Sequence, residues 1–248
     1  MKMKHFAFLT VFSILALAFL SQVDAASPKV TLQQGHIPTY HNIKYVWYYG
    51  EGPLPVTLSF TGPWDLTTGP KKTSGPEVLV KPEDAYDASE FPDATFVLKA
   101  YDGAYHFYTK TNVGVDWLGS TAPPGHPMAP YSPHTYTPPF RQLILPSTVG
   151  SQFVETMTIT DPTGSKTTTV TLKIVGKGKV IVGAGTFNDA VMVQGKVTPT
   201  YGTQGLIVYQ WYAPFVGKVA EISSLDGEMN ELFTTAGYII WLKSCTMP

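Results

Sequence analysis

The residues of this chain that could do chemistry are few, and many of them cluster. Glu83, Asp84, Asp87, Glu90 and Asp93 place five carboxylates within eleven positions, and calcium favours several oxygen ligands from one loop. The central glycine of an EF-hand loop is missing, so a solvated acidic face is the simpler reading. Asp226-Gly227-Glu228 invites the same idea, although Asp-Gly is first of all a hairpin turn. His126 and His134, with His106, could gather a transition metal across a proline-rich stretch, but their spacing fits no compact ligand pattern. Neither a metal nor a cofactor is expected.

Nucleophile and phosphate motifs fail in detail. Gly164-Ser165-Lys166-Thr167 resembles the end of a phosphate-binding loop, yet Ser stands where Gly must precede Lys. Gly183-Ala184-Gly185 lacks the third glycine and the helix that should follow. No Gly-x-Ser-x-Gly elbow and no His-Glu-x-x-His helix occurs. Cys245 is the single cysteine, without a neighbouring histidine, so internal disulfides and cysteine zinc clusters are excluded. The two carboxylates of a glycosidase can lie far apart in sequence, and nothing here nominates such a pair. The reading leans away from an enzyme.

The aromatics are more informative. Trp47, Tyr48 and Tyr49 are consecutive, as are Trp211 and Tyr212. Successive strand residues point to opposite faces, so Trp47 and Tyr49 share one face while Tyr48 takes the other. Both faces must be covered by protein, ligand or partner. A two-layer core would do this, and so would an apolar cavity or an aromatic platform for lipid or sugar. The candidate ligand-binding residues are therefore Trp47, Tyr49 and Trp211, with Tyr131, Tyr136 and Phe140 as a rim.

The elements that must position these rings read as strands almost throughout. Residues 43–49 are β-branched and aromatic, and they stop at a Gly50-Glu51-Gly52-Pro53 turn. Residues 56–60 alternate with period two. Residues 95–100 and 105–110 flank Asp102-Gly103, a preferred hairpin turn. Asp161-Pro162-Thr163-Gly164 supplies turn chemistry between alternating runs at 153–160 and 167–175. Gly176-Lys177-Gly178 is a turn or bulge, and further strands follow at 179–182, 190–197, 206–212, 216–223 and 237–242. Helix is limited to a turn or two near Pro82-Glu83-Asp84-Ala85. The fold class is all-β and mainly antiparallel, a β-sandwich or curved half-barrel of about twelve strands. Residues 121–139 hold seven prolines, each removing a ladder donor, and read as a long loop. It separates a β-rich part, 26–120, from an antiparallel meander, 140–248, which could belong to one domain with it.

Composition fits an exported protein. Lys2 and Lys4 precede an apolar run from Phe6 to Leu20, followed by Val23-Asp24-Ala25, the layout of a secretory signal peptide covering 1–25. The run is short of the roughly 20 residues a membrane span needs, so no transmembrane anchor is expected after cleavage. The formal charge is −1 and only 14% of residues are charged, which gives no field to attract nucleic acid. The expected location is secreted or periplasmic.

Three pieces of the meander carry a resemblance: Val182-Gly183-Ala184-Gly185-Thr186-Phe187-Asn188-Asp189-Ala190-Val191, Tyr209-Gln210-Trp211-Tyr212-Ala213-Pro214, and Val216-Gly217-Lys218-Val219. Residues 140–242 resemble exported bacterial β-rich families whose curved sheet is similar to the lipoprotein carrier LolA. Where those families commonly have Ala-Pro-Gly-Val-Gly, this chain has Phe215 in place of the first glycine. The resemblance implies a half-barrel that holds acyl chains in its concave face, and it carries over no catalytic role. Together these readings favour a noncatalytic exported binding protein for a lipid-like or other apolar ligand. The alternatives are an extracellular structural or carbohydrate-binding module with a glycan partner, and a secreted hydrolase. Oligomeric state is not legible.

Overall fold

Backbone pairing along the chain shows how the expected strands are assembled. The computed structural model describes residues 31–55, 63–70, 72–199 and 203–247, with backbone alone at 72–74. The export leader at 1–25 and the strand expected at 56–60 lie outside the described residues. Among the described residues there are thirteen strands: β1 (Lys44–Pro53), β2 (Trp64–Asp65), β3 (Lys72–Val80), β4 (Phe96–Lys99), β5 (Tyr105–Lys110), β6 (Gly114–Thr121), β7 (His134–Ile144), β8 (Gln152–Asp161), β9 (Gly164–Val182), β10 (Gly185–Val197), β11 (Leu206–Ala213), β12 (Gly217–Ser224) and β13 (Thr235–Thr246). Four 3-10 turns of three residues are the only helix among the described residues, one of them at Pro82–Asp84 as expected.

Setting β2 aside, each strand pairs antiparallel with the next in chain order. The ring then closes, because β13 pairs with β1 from Lys44 opposite Thr246 to Pro53 opposite Thr235. The all-β, antiparallel expectation holds, but the sandwich or open half-barrel is corrected to a closed twelve-stranded barrel. Closure gives the terminal strands partners for backbone groups that an open sheet would leave bare. An even number of strands lets first and last meet antiparallel. The short β2 lies outside this ring and pairs in parallel with β9, Trp64 opposite Val180.

Two local expectations change, and a third is settled between its alternatives. The proline-rich loop does not extend to 139, since β7 starts at His134 and runs through Pro138 and Pro139. Neither proline is paired: β8 engages only Thr135–Thr137, and the β6 register shifts between Trp117 opposite Phe140 and Gly119 opposite Thr135. The missing N–H groups fall in a bulge, where they cost the ladder little. Gly50–Pro53 is not a turn but the end of β1. Gly176-Lys177-Gly178 is a bulged region of the long β9, with Ile174 opposite Val193 and Gly176 opposite Met192.

The turns follow their chemistry. Gly103 sits at φ +98° in the β4–β5 hairpin, and the Asp102 carboxylate accepts the Ala104 N–H at 3.0 Å. Between β11 and β12, Phe215 occupies a left-handed conformation at φ +64°, a region that glycine enters at least cost. Its exposed ring meets His36 edge-on with centroids 4.9 Å apart.

Register sorts the core into two faces. Met192, Trp211, Ala220, Trp241 and Tyr48 stand side by side across β10, β11, β12, β13 and β1. Trp211 is fully buried against Trp64 of β2, centroids 6.1 Å apart, so the appended β2 segment covers part of this apolar row. One residue along, Gln210, Glu221, Ile240 and Tyr49 form the adjacent row, and strand alternation turns these to the opposite face. On β8 and β9 one face is a threonine ladder with Thr156 opposite Thr169 and Thr158 opposite Thr167, exposed or half-exposed. The Thr156 and Thr169 hydroxyls share a 2.7 Å hydrogen bond.

Candidate functional site: an aromatic cavity with a charged wall

The face carrying Tyr49 and Gln210 lines a cavity of about 500 Å³, to which β1, β3–β7 and β9–β13 all contribute. An eight-stranded barrel is about filled by its own side chains, whereas wider barrels enclose ligand space. Part of the wall is an aromatic row at one level of four adjacent strands: Phe96, Tyr108, Trp117 and Phe140. Phe96 stacks on Tyr108 at 5.1 Å, Tyr108 on Trp117 at 6.3 Å, and Trp117 lies 6.3 Å from Phe140. Trp117 is held in place by donating its indole N–H to the Gly119 carbonyl at 2.8 Å.

Polar groups interrupt this apolar lining. Glu221 is buried, yet its carboxyl stays below the usual carboxylate range despite the penalty of burial. Lys218 approaches at 2.6 Å and Gln210 donates at 2.8 Å, while the Tyr238 hydroxyl donates to the other oxygen. Arg141 makes a two-pronged contact with the buried Asp116, through Nε to Oδ1 and Nη2 to Oδ2. Its guanidinium also lies 4.7 Å over the Phe153 ring.

Two lining groups have no such compensation. Glu77 is 9% exposed and has no cation within salt-bridge distance among the described residues. Burial pushes its carboxyl up to about 7; the Lys218 charge opposes this, and Asp102 and Glu221 add to it. His106 is held neutral by burial, its pKa lowered to about 4, and its Nδ1 finds no hydrogen-bond partner among the described residues.

The ligand-binding residues named from sequence separate by position. Trp47, Tyr49 and Phe140 line the cavity. Tyr136 packs on Trp117 and Phe140, centroids 4.8 and 5.6 Å away, behind the lining. Trp211 lies on the opposite face against Trp64, and its neighbour Tyr212 reaches the cavity instead. Tyr131 is exposed on the 3-10 turn Ala129–Tyr131. Glu77, Glu221, Lys218, Gln210, Arg141 and Trp117 were not singled out by their sequence context. The available signal was a lone polar residue between apolar strand neighbours, as in Tyr209-Gln210-Trp211 and Ala220-Glu221-Ile222.

The other candidate chemistry disperses. Glu83, Asp84, Asp87, Glu90 and Asp93 are all exposed. His126 faces Asp102 at 3.5 Å, and among the described residues no three His, Cys, Asp or Glu side chains gather as a metal site. Asp226 accepts from the Thr203 hydroxyl at 2.5 Å and the Gln204 N–H at 2.7 Å, which ties two loops together. Gly164-Ser165-Lys166-Thr167 opens β9 after the hairpin turn, with Gly164 opposite Asp161.

The chain matches no family model and no curated protein sequence. Two solved structures are similar to it. A Bacteroides fragilis protein, provisionally named an exported protein with a YmcC-like fold, is 11% identical, with 88% of this chain and 100% of that chain covered at a TM-score of 0.42. A Parabacteroides distasonis protein, provisionally named a lipoprotein, is 13% identical, with 85% and 98% covered at a TM-score of 0.39.

Proposed function

We propose that this chain is an exported, noncatalytic binding protein that holds a lipid-like or other apolar ligand inside the barrel. The observation that carries the reading is the cavity of about 500 Å³ faced by Phe96, Tyr108, Trp117 and Phe140. That volume falls in the roughly 300–1,000 Å³ range of small-molecule sites. The likeness of residues 140–242 to LolA-like proteins points to an acyl chain, and closure of the sheet makes the concave face an interior. The threonine ladder of β8 and β9 is unlike the outward apolar band of a membrane barrel. None of the five tryptophans is exposed, which gives an aromatic platform for sugar less support. A location outside the cytoplasm, secreted or periplasmic, follows from the leader-like segment 1–25.

Native mass spectrometry of protein purified from its own host tests this. A co-purifying adduct of a few hundred daltons is expected, and delipidated protein should bind dodecanol saturably with a change in tryptophan emission. No adduct and no saturable binding would refute it.

One observation favours a second reading, a secreted glycoside hydrolase. Glu77 and Glu221 face the same cavity with proton affinities displaced in opposite directions, as an acid and an ionised partner would be. Both Glu221 oxygens are already occupied by Lys218, Gln210 and Tyr238, which weighs against it as a nucleophile. Release of nitrophenol from a panel of nitrophenyl glycosides, lost in Glu221→Gln, would establish this reading over the first.

A further inference from the structure

The pairing of charges around the cavity leaves one carboxyl over. Among the described residues Lys218 and Arg141 are its two cations, and both are engaged, Lys218 with Glu221 at 2.6 Å and Arg141 with Asp116. Glu77 remains as a carboxyl without a cation of its own among the described residues. Its surroundings are suited to a positive charge. Tyr45 stands directly opposite it on β1, Trp47 lines the same cavity, and the Tyr49 and Tyr108 hydroxyls are near enough to feel its charge. Ring faces attract ammonium groups, and a desolvated carboxylate is a strong partner for one. The aromatic row from Phe96 to Phe140 leads away as an apolar wall.

We infer that the barrel takes an amphiphile with an amine head, its ammonium received by Glu77 between the Trp47 and Tyr rings and its tail lying along the Phe96–Phe140 row. This rests on the binding-protein reading above and adds the chemistry of the head group. A carboxylate head would meet Glu77 and the nearby Glu221 as like charges, and a hydroxyl head would leave Glu77 without a counter-charge. The groups facing Glu77 are Lys218 and Glu221 from β12, Asp102 from the β4–β5 turn, Tyr45, Trp47 and Tyr49 from β1, and Tyr108 from β5. Among these, Glu77 is the carboxyl that titrates near neutrality. Amine binding therefore strengthens as it ionises.

The test uses delipidated full chain and three probes with one tail: dodecylammonium, dodecanol and dodecanoate, each below its micelle concentration. At pH 8 dodecylammonium should bind at least about tenfold tighter than dodecanol, the scale of a charge-assisted hydrogen bond, and dodecanoate weaker than both. Between pH 8 and pH 6 the amine should lose about tenfold in affinity while dodecanol changes little. Glu77→Gln should abolish the amine preference and keep dodecanol binding. Calorimetry of the wild type at pH 6, in two buffers of different ionisation enthalpy, should show release of about one proton on amine binding. That measurement needs no substitution and holds even if the variant misfolds. Equal binding of amine and alcohol, or a preference that survives in Glu77→Gln, overturns the inference alone. Failure of all three probes to bind overturns the binding reading with it.

Discussion

Replacing Glu77 by Gln should change the slope of stability against pH more than stability at any one pH. In the folded protein the Glu77 carboxyl is raised from its ordinary 4.5 to about 7. Between those values the folded state holds a proton that the unfolded chain releases. Its contribution is complete below pH 4.5 and is lost as pH rises through 7. At about 1.4 kcal/mol per decade of proton affinity, the loss is about 3 kcal/mol. His106 acts in the opposite sense. Its pKa falls from 6.5 to about 4, so its contribution is complete above pH 6.5 and disappears as pH falls to 4. In the wild type the two slopes oppose each other between pH 4.5 and 6.5 and largely cancel. In Glu77→Gln the His106 slope stands alone, and stability should rise over that window. Relative to wild type, the variant should gain about 3 kcal/mol between pH 4.5 and 8, or about 6–12 °C in Tm for a domain of this size. Urea unfolding followed by tryptophan emission at pH 4.5, 6 and 8 reads this directly, with m unchanged. A variant-minus-wild-type difference that does not move with pH, or that moves the other way, would refute the burial argument for Glu77.

Three further substitutions probe the frame around the cavity. Gly119 sits at φ +153°, and a Cβ there would meet the His134 carbonyl and the Phe91 ring. Gly119→Ala should cost at least about 3 kcal/mol from strain and overpacking; because Gly119 accepts the Trp117 indole N–H, Trp117 emission should shift even where the fold survives. Trp64→Ala opens the cover over Trp211 and should cost about 3–5 kcal/mol in urea unfolding, with emission shifted to the red as Trp211 meets water. Asp116→Asn leaves Arg141 largely buried without its anion and should cost about 3–5 kcal/mol, most of it recovered in Asp116→Asn with Arg141→Met. A double variant no better than the single would show that the ion pair is not what the first change removed.

How much of this was legible depended on whether a feature is local. Alternation along β1 correctly put Trp47 and Tyr49 on one face and Tyr48 on the other, because strand period is a property of neighbouring residues. It could not say which face of β11 is the interior, since Trp211 and Tyr212 are both large and aromatic. Register across four strands decides that, and it sends Tyr212 to the cavity. Barrel closure joins β1 to a strand about 190 residues further on, with no local mark in either. Pro138 and Pro139 misled because a proline penalty presumes a paired position, and the bulge leaves theirs unpaired. Nothing local distinguishes Glu77 and Glu221 from polar residues on an outward face. Only closure turns their face inward.

The same closure gives Glu77 its significance. In an open sheet a carboxyl at this position would be hydrated and would cost nothing to ionise. Inside the barrel its ionised form costs about 3 kcal/mol near neutral pH, a sizeable share of the 5–15 kcal/mol that holds a domain folded. The neighbouring charges show that the fold can settle such a cost, since Glu221 has Lys218, Gln210 and Tyr238 and Asp116 has Arg141. A residue left uncompensated beside two that are compensated is the kind of local inconsistency that marks functional sites. An amine entering the cavity would supply the missing partner. Its binding energy would then be drawn partly from relief of a strain already present in the empty barrel, so Glu77→Gln should gain stability and lose amine selectivity together.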